Sequence, residues 1–197
     1  EHYDSDLDLW VCSTPGSFAS GKVDFGTRVL IPFLEDRVNL PEGAEGAELV
    51  AVDLGCGTGL LTAALLRAHP DYHVIATDRS AAAVASTRAT IRRNDLDKFD
   101  GRVEIRRDHG LSQQPDTSVD LVVCNPPFHS EAAITTAASD AMFIEAARVL
   151  KPGGVMLTVF NSHLPHRRAL ERVIGPTVQL GRNAKFTVTR SVRGSLG

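Results

Sequence analysis

The chain has 197 residues, 43% hydrophobic and 23% charged, with a formal net charge of −3. Those values describe one globular domain, too short for two large ones and too apolar for a disordered chain, and they exclude a surface that is basic throughout. The net value conceals an asymmetry. Asp4, Asp6, Asp8, Glu35, Asp36, Glu42, Glu45 and Glu48 crowd the first quarter, whereas beyond Asn161 the acid Glu171 stands against Arg167, Arg168, Arg172, Arg182, Lys185, Arg190 and Arg193.

In chain order, residues 1–11 alternate acids with Tyr3, Leu7, Leu9 and Trp10, the pattern of an edge strand or of an ordered remnant, so residues 1–13 are set apart from a domain spanning 14–197. Residues 14–27 are rich in small residues and predict a loop, and Val29, Leu30, Phe33 and Leu34 predict a helix over 28–35. Residues 48–54 read as a buried strand, which Gly55-Cys56-Gly57-Thr58-Gly59 turns into an amphipathic helix over 60–68. Glycines admit a ligand close to the backbone, and a helix start offers unpaired N–H groups. The nicotinamide fingerprint would need a third glycine where Leu60 stands, which disfavours a dinucleotide.

Residues 72–77 form a second strand that ends in Asp78, followed by a helix over 80–93. A carboxylate there has two acceptor oxygens for the two hydroxyls of a ribose, and capping of the next helix is its alternative role. Residues 102–107 alternate as a third strand and stop at Asp108-His109-Gly110.

The run 119–124, Val-Asp-Leu-Val-Val-Cys, predicts a central parallel strand, and it breaks abruptly into Asn125-Pro126-Pro127-Phe128-His129. Proline fixes φ and donates no ladder hydrogen bond, and the residue before it is pushed out of the helical region. The Asn125 amide and the neighbouring carbonyls are therefore held rigidly at the carboxyl edge of a strand, where open α/β sheets bind ligands. Simple strand termination is the alternative. The latter half of 131–150 reads as helix, with Lys151-Pro-Gly-Gly154 ending it. A strand over 155–160, a helix over 163–174 and a closing pair over 177–180 and 185–191 complete the chain. Strands alternating with helices, and a hairpin at the end, predict an α/β fold with a mostly parallel sheet and an antiparallel C-terminal strand.

Cys12, Cys56 and Cys124 are odd in number and lack CxxC spacing, so a disulfide framework and a zinc site are not expected, and a reducing, cytoplasmic setting is. Cys56 and Cys124 are read as small hydrophobes without a nucleophilic role. No apolar stretch approaches the roughly 20 residues that span a bilayer, so no membrane is expected as a partner, and from the cysteine spacing no metal is either. The chain opens on Glu1 rather than Met, and residues upstream are expected.

Asn-Pro-Pro-aromatic after an apolar strand, together with Asp53-Leu-Gly-Cys-Gly-Thr-Gly59, resembles the S-adenosylmethionine (SAM) dependent methyltransferases that modify planar conjugated nitrogens. The form with His129 after Phe128 is similar to the ribosomal RNA guanine-N2 methyltransferases. The resemblance covers about residues 14–192. It implies a Rossmann-like class I methyltransferase fold, with a seven-stranded sheet and helices on both faces, and SAM as cofactor.

On the same basis Gly55, Cys56, Gly57 and Gly59 wrap the amino-acid end of SAM, and Asp53 helps to hold its ammonium. Asp78 with Arg79 serves the ribose, Asp108 with His109 serves the adenine, and Asn125 joins the cofactor contacts. The earlier segment containing Phe18, Asp24, Gly26 and Thr27 resembles the part of the family that folds over the methionine end. The implied catalytic set is Asn125, Pro126, Pro127 and Phe128. An exocyclic amine is a poor nucleophile, and acceptance of its two N–H bonds by Asn125 Oδ1 and the Pro126 carbonyl would localise its lone pair, with Phe128 stacked on the base. Phe128, His129, Arg167, Arg168 and Lys185 are the implied contacts to ribosomal RNA. For His129 a turn-satisfying role, and for the arginines a solvated basic face, stand beside that reading.

The runs Asn161-Ser-His-Leu-Pro165 and Asn183-Ala-Lys-Phe186 resemble the large-subunit ribosomal RNA members. Members of the family carry a degenerate N-terminal copy of the fold that helps to bind RNA, and a domain of that kind is expected upstream. Methylation of adenine N6 or of a protein glutamine, and an RNA-binding module that holds SAM without turnover, remain open alternatives.

Overall fold

The computed structural model describes residues 1–14, 24–41, 48–98, 101–127 and 132–194, leaving aside the side chains of 132–135. A short hairpin, β1 (His2–Asp4) and β2 (Leu9–Val11), precedes α1 (Phe25–Glu35). Then follow β3 (Leu49–Leu54), α2 (Leu60–Ala68), β4 (Tyr72–Asp78), α3 (Ala81–Arg93), β5 (Val103–Arg107) and β6 (Val119–Cys124). The chain closes with α4 (Ala132–Val149), β7 (Leu150–Asn161), α5 (His166–Val173), β8 (Thr177–Arg182) and β9 (Phe186–Val192).

Seven strands form one sheet in the order β5-β4-β3-β6-β7-β9-β8. Every pairing up to β7 is parallel, and β9 runs antiparallel to both β7 and β8. Period-two alternation sorts the side chains onto two faces. Ala51, Val74, Leu121, Val123, Leu157 and Val159 pack with Leu30 and Leu34 of α1, with α2 and with Ile91 of α3. Val52, Leu54, Ile75, Val122, Met156 and Phe160 pack with Phe143 of α4 and Leu170 of α5. Both faces of β3 and β6 are thus covered, which is why these strands are continuously apolar.

Several boundaries depart from the sequence reading. Helix α1 starts at Phe25, because the Asp24 carboxylate accepts from the Gly26 N–H at 2.7 Å and caps it, so Gly26 and Thr27 are helical rather than part of a loop. Helix α4 occupies all of Ala132–Val149, not only its latter half. Lys151-Pro-Gly-Gly154 does not separate helix from strand. Leu150 already pairs with Val119, and the strand bulges over 151–154 before Val155 pairs with Leu121. Lys151 holds that bulge by reaching the Asp120 carboxylate at 2.8 Å. Helix α5 begins three residues late, at His166, because Pro165 occupies its cap.

Among the described residues the hairpin of β1 and β2 forms a two-stranded sheet of its own, apart from the main sheet. Its Leu9 and Val11 nevertheless enter the α1–α3 core, and Asn94 brackets the Trp10 backbone, donating to its carbonyl at 2.8 Å and accepting from its N–H at 2.9 Å. Among the described residues no helix is long and apolar enough to cross a membrane.

Packing of α3 on the turn before α2 leaves no room for a side chain at Gly59. Its φ is +79°, and a Cβ there would lie 2.8 Å from Thr87 Cγ2 and 2.9 Å from Thr87 Cα. Gly101 shares the left-handed conformation, at φ +78°, with nothing within 4 Å. Both alanine variants should lose about 1–2 kcal/mol from the backbone alone. Gly59→Ala should lose roughly 1–3 kcal/mol more from overpacking, measured by urea unfolding. Equal losses at the two sites would contradict the close α2–α3 contact.

Candidate active site

The strand order reverses between β3 and β6, and their register pairs Leu54 with Cys124. The next residues out of the sheet, Gly55 and Asn125, therefore stand side by side at the switch point, where α/β sheets open a crevice. Three left-handed glycines shape one wall, with φ of +79°, +55° and +79° at Gly55, Gly57 and Gly59. The loop is strapped to the end of β4. Gly55 and Cys56 both donate to the Thr77 carbonyl at 2.9 Å, and Gly57 donates to Asp78 Oδ2 at 3.1 Å. These donors are satisfied within the protein, so what the turn presents outward is glycine surface. Among the described residues a Cβ at Gly57 would meet nothing nearer than 4.0 Å, so the surface over that glycine is open on their side.

Asp53 lies beneath this loop with only 1% of its surface exposed. Its Oδ2 accepts from the Thr62 N–H at 3.0 Å and the Thr62 hydroxyl at 2.6 Å, which ties β3 to the first turn of α2. Its Oδ1 is buried without a partner among the described residues. Burial pushes the carboxyl up to about 7, with the Thr62 hydrogen bonds acting against it and the Asp78 charge adding to it.

The half-buried Asp78 accepts from Ser80 N–H through Oδ1 at 2.9 Å as well as from Gly57. The cap of α3 is Ser80 itself, so Asp78 organises the turn between the two loops rather than capping the helix. Asp108 is buried and turned into its own loop, accepting from the Ser112 hydroxyl and from Gln113 N–H. Burial works to raise its carboxyl, but those bonds and the His109 N–H outweigh burial and hold it below the usual carboxylate range. Arg79 and His109 are exposed at this end. Burial pushes both the Cys56 and the Cys124 thiols up, so they stay protonated and act as apolar filling.

Asn125 forms the other wall. Its Nδ2 donates to Thr27 Oγ1 at 3.2 Å, and a Cβ on Gly26 would lie 3.1 Å from Nδ2, so the first turn of α1 lies directly against the amide. With Nδ2 engaged, Oδ1 is buried and has no partner among the described residues. Leaving a buried acceptor unsatisfied costs about 1–3 kcal/mol, and a group aimed in this way awaits a donor. Pro126 is buried and Pro127 half-buried behind it. Phe18, Phe128 and His129 lie outside the described residues.

The remaining substrate candidates are spread along the same edge. Arg167 and Arg168 are both exposed, and Arg167 also donates to Glu171 at 3.1 Å and to the Thr177 carbonyl at 3.3 Å. Lys185 Nζ sits 5.3 Å from the Phe186 ring and 5.8 Å from that of Phe25. Thr62, the partner of Asp53, was missed in the sequence, whereas Thr27, expected there among the cofactor contacts, also holds the Asn125 amide.

A family described as the methyltransferase small domain matches residues 8–190. The chain belongs to that family. It is 40% identical to the ribosomal RNA large subunit methyltransferase G of Streptomyces coelicolor, over 93% of this chain and 46% of that protein. The protein of the same name from Shewanella amazonensis is 38% identical, over 94% of this chain and 46% of its own length. A solved structure of the 16S rRNA N2-guanine methyltransferase from T. thermophilus, in complex with AdoMet and guanosine, superimposes with a TM-score of 0.75 at 31% identity. That match covers 92% of this chain and 46% of the other. This chain thus spans about half the length of the relatives it matches. The sheet order, the antiparallel β9 and the helices on both faces form the Rossmann-like methyltransferase fold that the sequence led us to expect.

Asp53 gives the site a pH signature. Its folded-state value near 7 lies above the ordinary 3.8, so the folded protein holds the extra proton between those values and stability falls as pH rises from about 4 to about 7. Asp53→Asn should remove that part of the fall. Urea unfolding of both proteins across this range measures the difference, and identical pH dependence in the two would contradict the buried carboxyl.

Proposed function

We propose that this domain transfers the methyl group of SAM to the exocyclic N2 amine of a guanine in ribosomal RNA. The observation that carries the reading is the Asn125 amide, with Nδ2 held by Thr27 and Oδ1 left buried and unpaired at the switch point. The names of the relatives, and the guanosine bound by the T. thermophilus protein, support the choice of RNA and of guanine.

The residues present fit the cofactor. The unpartnered Asp53 Oδ1 is an acceptor for an ammonium group, and a cation beside it would draw the carboxyl back to its charged form. The open surface over Gly57 admits close approach of a chain carrying charge. Each Asp78 oxygen accepts one backbone N–H and keeps a second acceptor position, suited to the ribose diol. At the adenine end the Asp108 carboxylate already serves its own loop, so that contact falls to its remaining lone pairs or to the backbone around His109. SAM supplies the electrophilic methyl group when bound.

The protein supplies the acceptors. Oδ1 of Asn125 and the Pro126 carbonyl take the two N–H bonds of the target amine, which draws its lone pair out of conjugation and favours the positive charge that develops on nitrogen. No strong base is needed, because the amine becomes acidic as the new bond forms. Phe128 stacking on the extruded base, with His129 beside it, rests on the sequence. Arg168 and Lys185 serve the phosphates. Arg167, tied to Glu171, positions α5 in preference to touching RNA.

The test is transfer of labelled methyl to unmethylated ribosomal RNA and to assembled subunits, followed by digestion to nucleosides. The expected label is N2-methylguanosine. Label in N6-methyladenosine would place the target on another base, and SAM binding with no transfer to either substrate would leave only a cofactor-holding RNA module.

A further inference from the structure

Phe25 is 69% exposed, although it is the first residue of α1 and stands immediately before the Gly26 that packs on Asn125. Its ring therefore presents an apolar face to solvent at the rim of the site, and its neighbour makes that face more than a lone exposed side chain. Lys185 Nζ sits 5.8 Å from the Phe25 ring, and among the described residues it forms no ion pair. The backbone under Lys185 is fixed, because Asn183 Oδ1 accepts from Lys185 N–H at 2.8 Å and from Phe186 N–H at 2.7 Å.

The direction also matters. Asp78 ends β4, on one side of the switch point, whereas Lys185 precedes β9, which pairs with β7 on the other side. Between them, at the end of β7, the Asn161 amide keeps a second buried and unpartnered Oδ1, paired in register with Phe186. The cofactor half of the crevice and this aromatic and cationic half therefore flank Asn125 from opposite sides.

We propose that Phe25 and Lys185 form a subsite for the nucleotide next to the methylated one, with its base stacked on the Phe25 ring and its phosphate on the Lys185 ammonium. This inference rests on the reading of RNA as substrate. A flat π-face and a single cation within about 6 Å of it match a base and the phosphate attached to its sugar, and such stacking tolerates any base. An apolar peptide would use the ring but not the charge. An acidic peptide would use the charge but not the ring.

The test separates the subsite from the chemistry. Binding of a short fluorescein-labelled single-stranded oligoribonucleotide is followed by anisotropy, and methyl transfer is measured separately. Phe25→Ala should weaken oligonucleotide binding about 10- to 100-fold, Phe25→Trp should restore it, and Phe25→Leu should not. Lys185→Ala should flatten the dependence of log Kd on log salt by about 0.7, one phosphate contact on a single strand. SAM binding and methylation of free guanosine, which has no neighbouring nucleotide, should be unchanged in Phe25→Ala. Oligonucleotide binding equal to wild type in Phe25→Ala, rescue by leucine as well as by tryptophan, or parallel loss of guanosine methylation would overturn the subsite. Absence of methyl transfer by the wild type, with oligonucleotide binding still dependent on Phe25, would count against the proposed reaction and for the subsite.

Discussion

The parallel pairing of β3 with β6 is the constraint on which the site depends. It ends with Leu54 beside Cys124, and so it delivers a glycine turn and an asparagine to the same point from segments far apart in the chain. Neither strand can shift alone. A slip by one residue would move every apolar side chain of the strand to the opposite face, against helices already packed there. Precision at Gly55 and Asn125 is therefore inherited from the burial of Val52, Val122 and Val123, not from hydrogen bonds at the site itself.

Around this point the protein satisfies most of its buried polar groups and leaves selected ones open. Thr62 serves one oxygen of Asp53 and leaves the other, Thr27 serves the amide nitrogen of Asn125 and leaves the oxygen, and the carbonyl of Thr77 and the carboxylate of Asp78 consume the donors of the glycine turn. Orphaned acceptors on both walls of the crevice call for a ligand that brings donors and positive charge to each. An ammonium at Asp53 and an amine at Asn125 meet that need together. The thiols of Cys56 and Cys124, kept protonated by burial, offer no competing chemistry.

Much of this was legible in the sequence because buried parallel strands and glycine turns are dictated locally. The limits of α2 and of β6 follow from apolar runs bounded by Gly59 and by the double proline, and the fold from the alternation of such runs. What escaped depended on partners distant in the chain or on competing local bonds. The link from Thr27 to Asn125 spans 98 positions, and the spacing from Asp53 to Thr62 matches no motif. The bulge at Lys151 to Gly154 looked like a helix terminus, since prolines and glycines serve both purposes and only the pairing of Leu150 with Val119 distinguishes them. The pairing of Arg167 with Glu171 one helical turn later was likewise not read from the sequence, which shows charge but not its partners.

In the proposed reaction the Asn125 amide is the acceptor used in the transition state. Its most direct measurement is single-turnover methyl transfer by Asn125→Ala at saturating SAM, with SAM binding measured alongside by calorimetry. Loss of one preorganised transition-state group typically lowers the rate by about 10²- to 10³-fold, and that loss with near-normal SAM affinity is the predicted result. A near-normal rate in Asn125→Ala would contradict the account and reduce Asn125 and its two prolines to the end of a strand.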